Sequence, residues 1–186
     1  MMRFEIQSLP IADLKLVRRQ RMGDARGYLS RLFCSDELNS AGWTTPVAQI
    51  NISATARCGT VRGMHFQYPP HAEFKLVSCL QGAVWDVAVD LRAGSPTFLQ
   101  WHAEQLSAEN GCAMLIPMGF AHGFQTLSDD VELLYCHSTA YQSDSEGALD
   151  ALDPRLAITW PLSVTERSAR DCSHAPLAND FEGLRL

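Results

Sequence analysis

Along residues 84–91 the sequence alternates: Trp85, Val87, Val89 and Leu91 are apolar, whereas the positions between them include Asp86 and Asp90. A period of two belongs to a strand, because successive side chains of extended backbone point to opposite faces. The pattern predicts a half-buried strand with one face packed and the other in water. From about Thr44 to Tyr141 comparable short runs follow one another, separated by turn residues at the spacing of a sandwich or barrel. The expected strands cover 46–52, 59–66, 74–80, 83–91, 97–105, 112–117, 121–126 and 131–141. Helical periodicity is weak, with its best stretches at Ser35 to Leu38 and at 163–171. The expected fold is therefore all-β, an antiparallel double-sheet barrel, with short helices in the amino-terminal region and the carboxy-terminal tail. The tail from Asp153 keeps buried-type residues, Leu156, Ile158 and Trp160, and is expected to pack back onto the barrel.

Composition narrows the picture. A chain of 186 residues can bury one full core but not two comfortable ones, so a single domain over 1–186 is expected. With 46% hydrophobic and 19% charged residues it is neither disordered nor fibrous in type. The net charge of −6, without a basic run, argues against a nucleic-acid partner. The amino end mixes charges into its first dozen residues and no stretch approaches a membrane span, so no membrane partner and a cytoplasmic location are expected. Six scattered cysteines without a C-x-x-C pair read as reduced thiols, several of them in the core.

Four segments carry candidate chemistry. Lys75, one of only two lysines, interrupts the apolar run Phe74 to Val77. Such a cation either lies on a solvated strand face or projects into the barrel, where it can meet an oxyanion. Arg62 and His65 sit in one strand, and strict alternation would send them to opposite faces. Gly63 between them can host a bulge that turns both toward one cavity. In the segment 111–122, Gly111, Pro117, Gly119 and His122 have the spacing G-x5-P-x-G-x2-H, which resembles the second cupin motif. Metal-binding cupins add an H-x-H pair, but here that place reads His65-Phe66-Gln67, so a metal-free site is favoured. Finally, Tyr135, His137 and Tyr141 share one parity and point the same way, although each alone is most simply a core residue.

Taken together, these segments resemble the dTDP-4-dehydrorhamnose 3,5-epimerase family. The likeness begins at Asp24-Ala-Arg26-Gly27 and runs through Gln49-Ile-Asn51, Arg62 to Gln67, Lys75-Leu-Val, Asp86 to Thr97 and Ile116 to Phe124. It ends with Tyr135, Tyr141, Asp153-Pro, Ile158-x-Trp160-Pro161 and Ser168 to Asp171. The resemblance implies a cupin-type jelly roll that epimerises a nucleotide-linked 4-keto-6-deoxyhexose at C3, C5 or both, with no cofactor and no metal. It makes His65 the base, Asp171 its partner, Lys75 the cation that meets the enolate, and Tyr135 the acid on the opposite face. It puts Arg62 on the diphosphate and Gln49, Asn51, His122 and Tyr141 along the sugar and phosphate pocket. It makes Arg26 a nucleotide contact drawn from a neighbouring subunit, hence a homodimer. Arg31 stands where many members carry a glutamate that contacts the base, which changes the charge offered to the nucleotide. Three alternatives stay open: single-centre inversion with a nucleotide other than dTDP, a non-catalytic sugar-nucleotide-binding cupin, and a metal-dependent cupin.

Overall fold

The computed structural model describes residues 2–186. Thirteen strands form two main antiparallel sheets and one separate hairpin. The amino-terminal strands are β1 (Phe4–Ser8), β2 (Lys15–Arg19), β3 (Arg21–Asp24) and β4 (Gly27–Ser30). After α1 (Ser35–Asn39) come β5 (Gln49–Thr55), β6 (Val61–Gln67), β7 (Lys75–Gln81) and β8 (Ala83–Asp90). They are followed by β9 (Trp101–Ser107), β10 (Cys112–Ile116), β11 (Phe120–Thr126), β12 (Val131–His137) and β13 (Glu146–Ala148), with α2 (Ala169–Cys172) near the end. One sheet has the order β1-β2-β10-β7-β12-β5, the other β13-β6-β11-β8-β9. From β5 to β8 and from β9 to β12 each strand crosses to the opposite sheet, the connectivity of a double-stranded β-helix. Among the described residues no helix is long and apolar enough to cross a membrane.

Three apolar layers hold the sheets. Between them lie Val77, Cys79, Met114 and Leu133 from one sheet against Val84, Ala88, Leu106 and Phe124 from the other. The outer face of the five-stranded sheet, with Val61, Met64, Phe66, Val87 and Val89, is covered by Leu149, Leu156, Leu177 and Leu184 of the tail. The outer face of the six-stranded sheet is covered by Leu38 and Trp43. Each fully buried aliphatic side chain contributes about 1.5–3 kcal/mol, so both flanking segments are integral to the barrel's stability.

This is the all-β double-sheet architecture expected from the sequence, with five differences. Strand β8 is buried on both faces: Asp86 and Asp90 are 0% exposed rather than solvated. Its odd side chains pack under the tail, and its even ones enter the interior, where Asp86 finds His122 and Asp90 finds Arg92, Ser95 and Thr97. The same Asp90 network holds residues 95–97 in a turn, so the strand expected at 97–105 starts only at Trp101. Strand β12 stops at His137, short of Tyr141. The helix expected over 163–171 shrinks to α2, because Glu166 bridges to Thr60 in extended form; α2 is capped by Ser168 Oγ, which accepts from the Asp171 amide at 3.0 Å. Strands β1 to β4 and β13 were not expected.

The bulge at Gly63 is present. His65 faces His122 and Arg62 faces Phe124, so β6 spends one residue more than β11 over this stretch. The extra residue resets the parity, and Arg62 and His65 both turn inward. Gly63 has φ +123°, and a Cβ there would lie 2.5 Å from Gly123 Cα and 2.8 Å from the His122 carbonyl oxygen, both backbone atoms. Gly63→Ala is therefore expected to destabilise the fold by about 3 kcal/mol in denaturant unfolding, through backbone strain and overpacking. A wild-type midpoint would show that the strands separate freely here.

Candidate active site

Inward parity along five strands brings polar side chains to one end of the sandwich interior, where the apolar layer stops. They line a cavity of about 510 Å³. Arg62 and His65 reach it from β6, Lys75 from the start of β7, His122 from β11, Tyr135 and His137 from β12, and Asn51 and Ser53 from β5. His65 and Tyr135 thus stand on opposite sheets with the cavity between them. A hexose with its diphosphate fits a space of this size, which lies in the usual range for small-molecule sites.

Every imidazole that faces the cavity is tied to a carboxylate. His65 Nε2 lies 2.7 Å from Asp171 Oδ1, a partner 106 residues away that α2 delivers to the back of β6. Burial by itself pushes Asp171 up, but hydrogen bonds from His65, the Gly63 amide and Ser168, with the charge of His65, outweigh it and hold the carboxyl below its ordinary range. The remaining ring nitrogen, Nδ1, is left for a proton from a ligand. Deeper in, His122 Nε2 lies 2.7 Å from Asp86 Oδ1. Burial pushes Asp86 up, opposed by His122 and by the charge of Lys75. Lys75 is 8% exposed, and its Nζ lies 3.1 Å from Glu73 Oε1 and 3.4 Å from the His65 carbonyl oxygen. The other Glu73 oxygen lies 2.9 Å from His137 Nδ1.

Tyr135 is the buried phenol of the cavity, whereas Tyr141 is exposed at its mouth. The Tyr135 hydroxyl lies 3.0 Å from Ser53 Oγ. Burial pushes its pKa well above the ordinary value, which keeps the phenol protonated and able to donate. Its ring stacks on His137 at 6.0 Å and meets His122 edge-on at 6.1 Å. At the mouth, the Arg62 guanidinium donates to Thr55 Oγ1 at 3.2 Å and is partly free. Asn51 Oδ1 accepts from Gln49 Nε2 at 3.1 Å, and Gln49 Oε1 accepts from the Tyr141 amide at 3.0 Å. The Tyr141 hydroxyl donates to Glu146, which also pairs with Arg170.

The structure thus gathers His65, Lys75, Tyr135, Asn51, Arg62, His122 and Tyr141 at one cavity, with Asp171 behind His65 and Gln49 behind Asn51 and Tyr141. Arg26 and Arg31 lie elsewhere. Arg26 is on the β3–β4 hairpin, paired with Asp24 at 2.6 Å and 89% exposed; Arg31 follows β4 and pairs with Glu37. Sequence reasoning missed Glu73, Asp86, Ser53 and Glu146, and read His137 as core. Glu73 stands two residues before Lys75, the spacing that shares a strand face, and Asp86 stood out in the alternation itself. Among the described residues no group of three or more His, Cys, Asp or Glu side chains forms a metal-ligand cluster. The cavity histidines already spend one nitrogen each on a carboxylate.

The family model described as dTDP-4-dehydrorhamnose 3,5-epimerase matches residues 8–179. A dTDP-4-dehydrorhamnose 3,5-epimerase from Sinorhizobium fredii is 44% identical over 184 residues, covering 97% of this chain and 94% of the relative. A crystal structure of the Bacillus anthracis enzyme with TDP and PPi bound superposes with a TM-score of 0.90 at 38% identity, covering 94% of this chain and 99% of that one. The Legionella pneumophila epimerase in complex with dTDP-4-keto-L-rhamnose gives 0.87 at 39% identity, covering 92% and 91%. With this match across nearly its whole length, the chain belongs to the dTDP-4-dehydrorhamnose 3,5-epimerase family of isomerases.

Proposed function

We propose that the protein epimerises a dTDP-linked 4-keto-6-deoxyhexose at C3, C5 or both. One observation carries this reading: an imidazole backed by a carboxylate and a protonated phenol stand on opposite sheets across one cavity, with an ammonium in its wall. Inversion at carbon needs such opposed groups, since a base that returns its own proton to the same face restores the starting sugar. His65 Nδ1 takes the proton from the carbon beside the ketone, the C–H electron pair becomes the enolate, and Asp171 stabilises the imidazolium formed. Lys75, in a site shielded from water, meets the enolate oxygen. Tyr135 then gives its phenolic proton to the opposite face; the ketone returns, and solvent reprotonates the tyrosinate and relieves the imidazolium. Arg62, with its planar fork of donors, holds the diphosphate, and Asn51, His122 and Tyr141 hold the sugar and its neighbouring phosphate, with Gln49 bracing two of them. The relatives' dTDP ligands support dTDP as the nucleotide here.

The protein is further proposed to be a cytoplasmic homodimer, in one domain, with each site completed by its partner. The β3–β4 hairpin pairs with no other strand and exposes Met22, Tyr28 and Leu29, and the edge strand β5 exposes Ile50 and Ile52. Apolar side chains on a free hairpin and a free sheet edge are what a second copy covers. A hairpin reaching across would bring Arg26 and Arg31 to the other copy's nucleotide.

Incubation with dTDP-4-keto-6-deoxyglucose in heavy water is expected to label C3, C5 or both, and label at neither carbon ends the reading. His65→Ala and Tyr135→Phe are each expected to lower turnover by about 10²–10⁴-fold with the fold intact. Wild-type rates in either variant would remove that residue from the mechanism. Because Asp171 is held below its ordinary range, its stabilisation is present above that range and is lost as pH falls through the lowered value. In acid unfolding series the wild type should therefore lose its advantage over Asp171→Asn below about pH 4; parallel curves would contradict the pairing. For the dimer, co-refolding equal amounts of His65→Ala and Arg26→Ala should restore about a quarter of wild-type turnover, since about half of the dimers that form are mixed and each of these carries one intact site of two. A mixture no more active than its components would place Arg26 outside the shared site.

A further inference from the structure

Glu73 plays no part in the chemistry above, yet it is the group through which two side chains of the cavity wall are held. It precedes β7, and its side chain is 8% exposed. One carboxylate oxygen lies 3.1 Å from Lys75 Nζ, the other 2.9 Å from His137 Nδ1. Lys75 and His137 stand opposite each other in the β7–β12 ladder, so a single carboxylate spans a cross-strand pair of interior side chains. Burial by itself pushes Glu73 up, but the hydrogen bond from His137 and the charge of Lys75 outweigh it, and the group stays ionised.

The consequences differ for the two partners. Lys75 has one other neighbour within hydrogen-bond reach, the His65 carbonyl oxygen at 3.4 Å; the next carboxylate, Asp86, holds His122 through Oδ1, leaves Oδ2 unbonded and feels the ammonium's charge, but makes no direct contact with it. Without Glu73 the ammonium would have no carboxylate bonded to it to fix its direction. His137, bonded to the carboxylate through Nδ1, turns Nε2 toward Asn51, whose Nδ2 lies 3.5 Å away, and lays its ring against Tyr135 at 6.0 Å and 22°. A carboxylate accepts and does not donate, so the Nδ1 that faces it carries the proton, and in the neutral ring Nε2 is then the acceptor.

We propose that Glu73 is a positioning residue of this site: it aims the Lys75 ammonium at the sugar ketone and locks His137 in the Nδ1-protonated tautomer, leaving Nε2 to accept from Asn51 and a substrate hydroxyl. The kinetic half of this proposal rests on the epimerase reading; the tautomer half does not. The groups that surround the triad are Arg62 and His65 on β6, Asp86 on β8, His122 on β11 and Tyr135 on β12, and each of these has its own partner or stays neutral.

Two measurements test it. In Glu73→Ala, turnover followed by deuterium uptake is expected to fall about 100-fold while the dissociation constant for dTDP stays within about twofold, and Glu73→Gln, which still accepts from Lys75, is expected to recover at least about tenfold of the loss. Turnover within about twofold of wild type in Glu73→Ala, or loss of dTDP affinity in step with turnover, overturns the proposal. Nitrogen-15 spectra of the six histidines at mildly alkaline pH, with His137 assigned by His137→Gln, should find the proton on Nδ1 in the wild type and on Nε2 in Glu73→Ala. An Nε2-protonated His137 in the wild type overturns it. If the wild type takes up no deuterium, the epimerase reading fails by itself, and the spectra still decide whether Glu73 holds His137.

Discussion

Charges drawn into the interior of a β-sandwich lose their hydration, and the cost is tolerable only where opposite charges meet. This constraint organises the end of the barrel that holds the cavity. His65 with Asp171, His122 with Asp86, and Lys75 with Glu73 and His137 are three local settlements of it, each joining residues from different strands or from the tail. Because each of the three sets joins separate elements, the pairing that keeps the charges affordable also fixes the directions in which these side chains point. The apolar layer below, from Val77 and Leu133 across to Ala88 and Phe124, excludes water and makes those electrostatic contacts stronger.

The two-sheet architecture supplies what a single sheet could not. Side chains of one sheet approach a ligand from one side only, so opposed proton transfer needs strands that face each other. Here β6 and β12 do so, and the alternation of consecutive strands between sheets brings residues 65 and 135 to one cavity. The Gly63 bulge is the local device that lets one strand contribute two inward side chains, Arg62 and His65, three positions apart.

Much of this was legible in the sequence because extended chains have a simple code. Period-two alternation located the central strands, the Gly63 bulge followed from two polar residues at the wrong parity, and the short helices near residue 35 and in the tail were found. What failed did so for physical reasons. Alternation at β8 was read as one wet face, but this strand is covered on both sides and alternates because its polar residues have interior partners, of which His122, the partner of Asp86, is 36 residues away. Strands β2 and β3 carry KLVRR and RMGD; β2 lies inside its sheet and buries Leu16 and Val17, but two adjacent apolar residues among three cations give no period of two, and the β3 hairpin strand has a single apolar residue. The site was legible where the residues formed recognisable strings; Glu73, Asp86 and His137 were not, since their importance arises only from contacts across strands.

The carboxylate partner of His65 arrives from a one-turn helix, α2, that is anchored outside the barrel wall by the Arg167 guanidinium, which bonds both Asp150 and the Asp171 carbonyl oxygen. The cavity is made by strands, whereas the imidazole's carboxylate belongs to a peripheral segment with few backbone ladders of its own. Local fraying of that segment would leave an intact receptacle whose imidazole has lost its carboxylate, so on the proposed mechanism loading and turnover are separable by the stability of the tail.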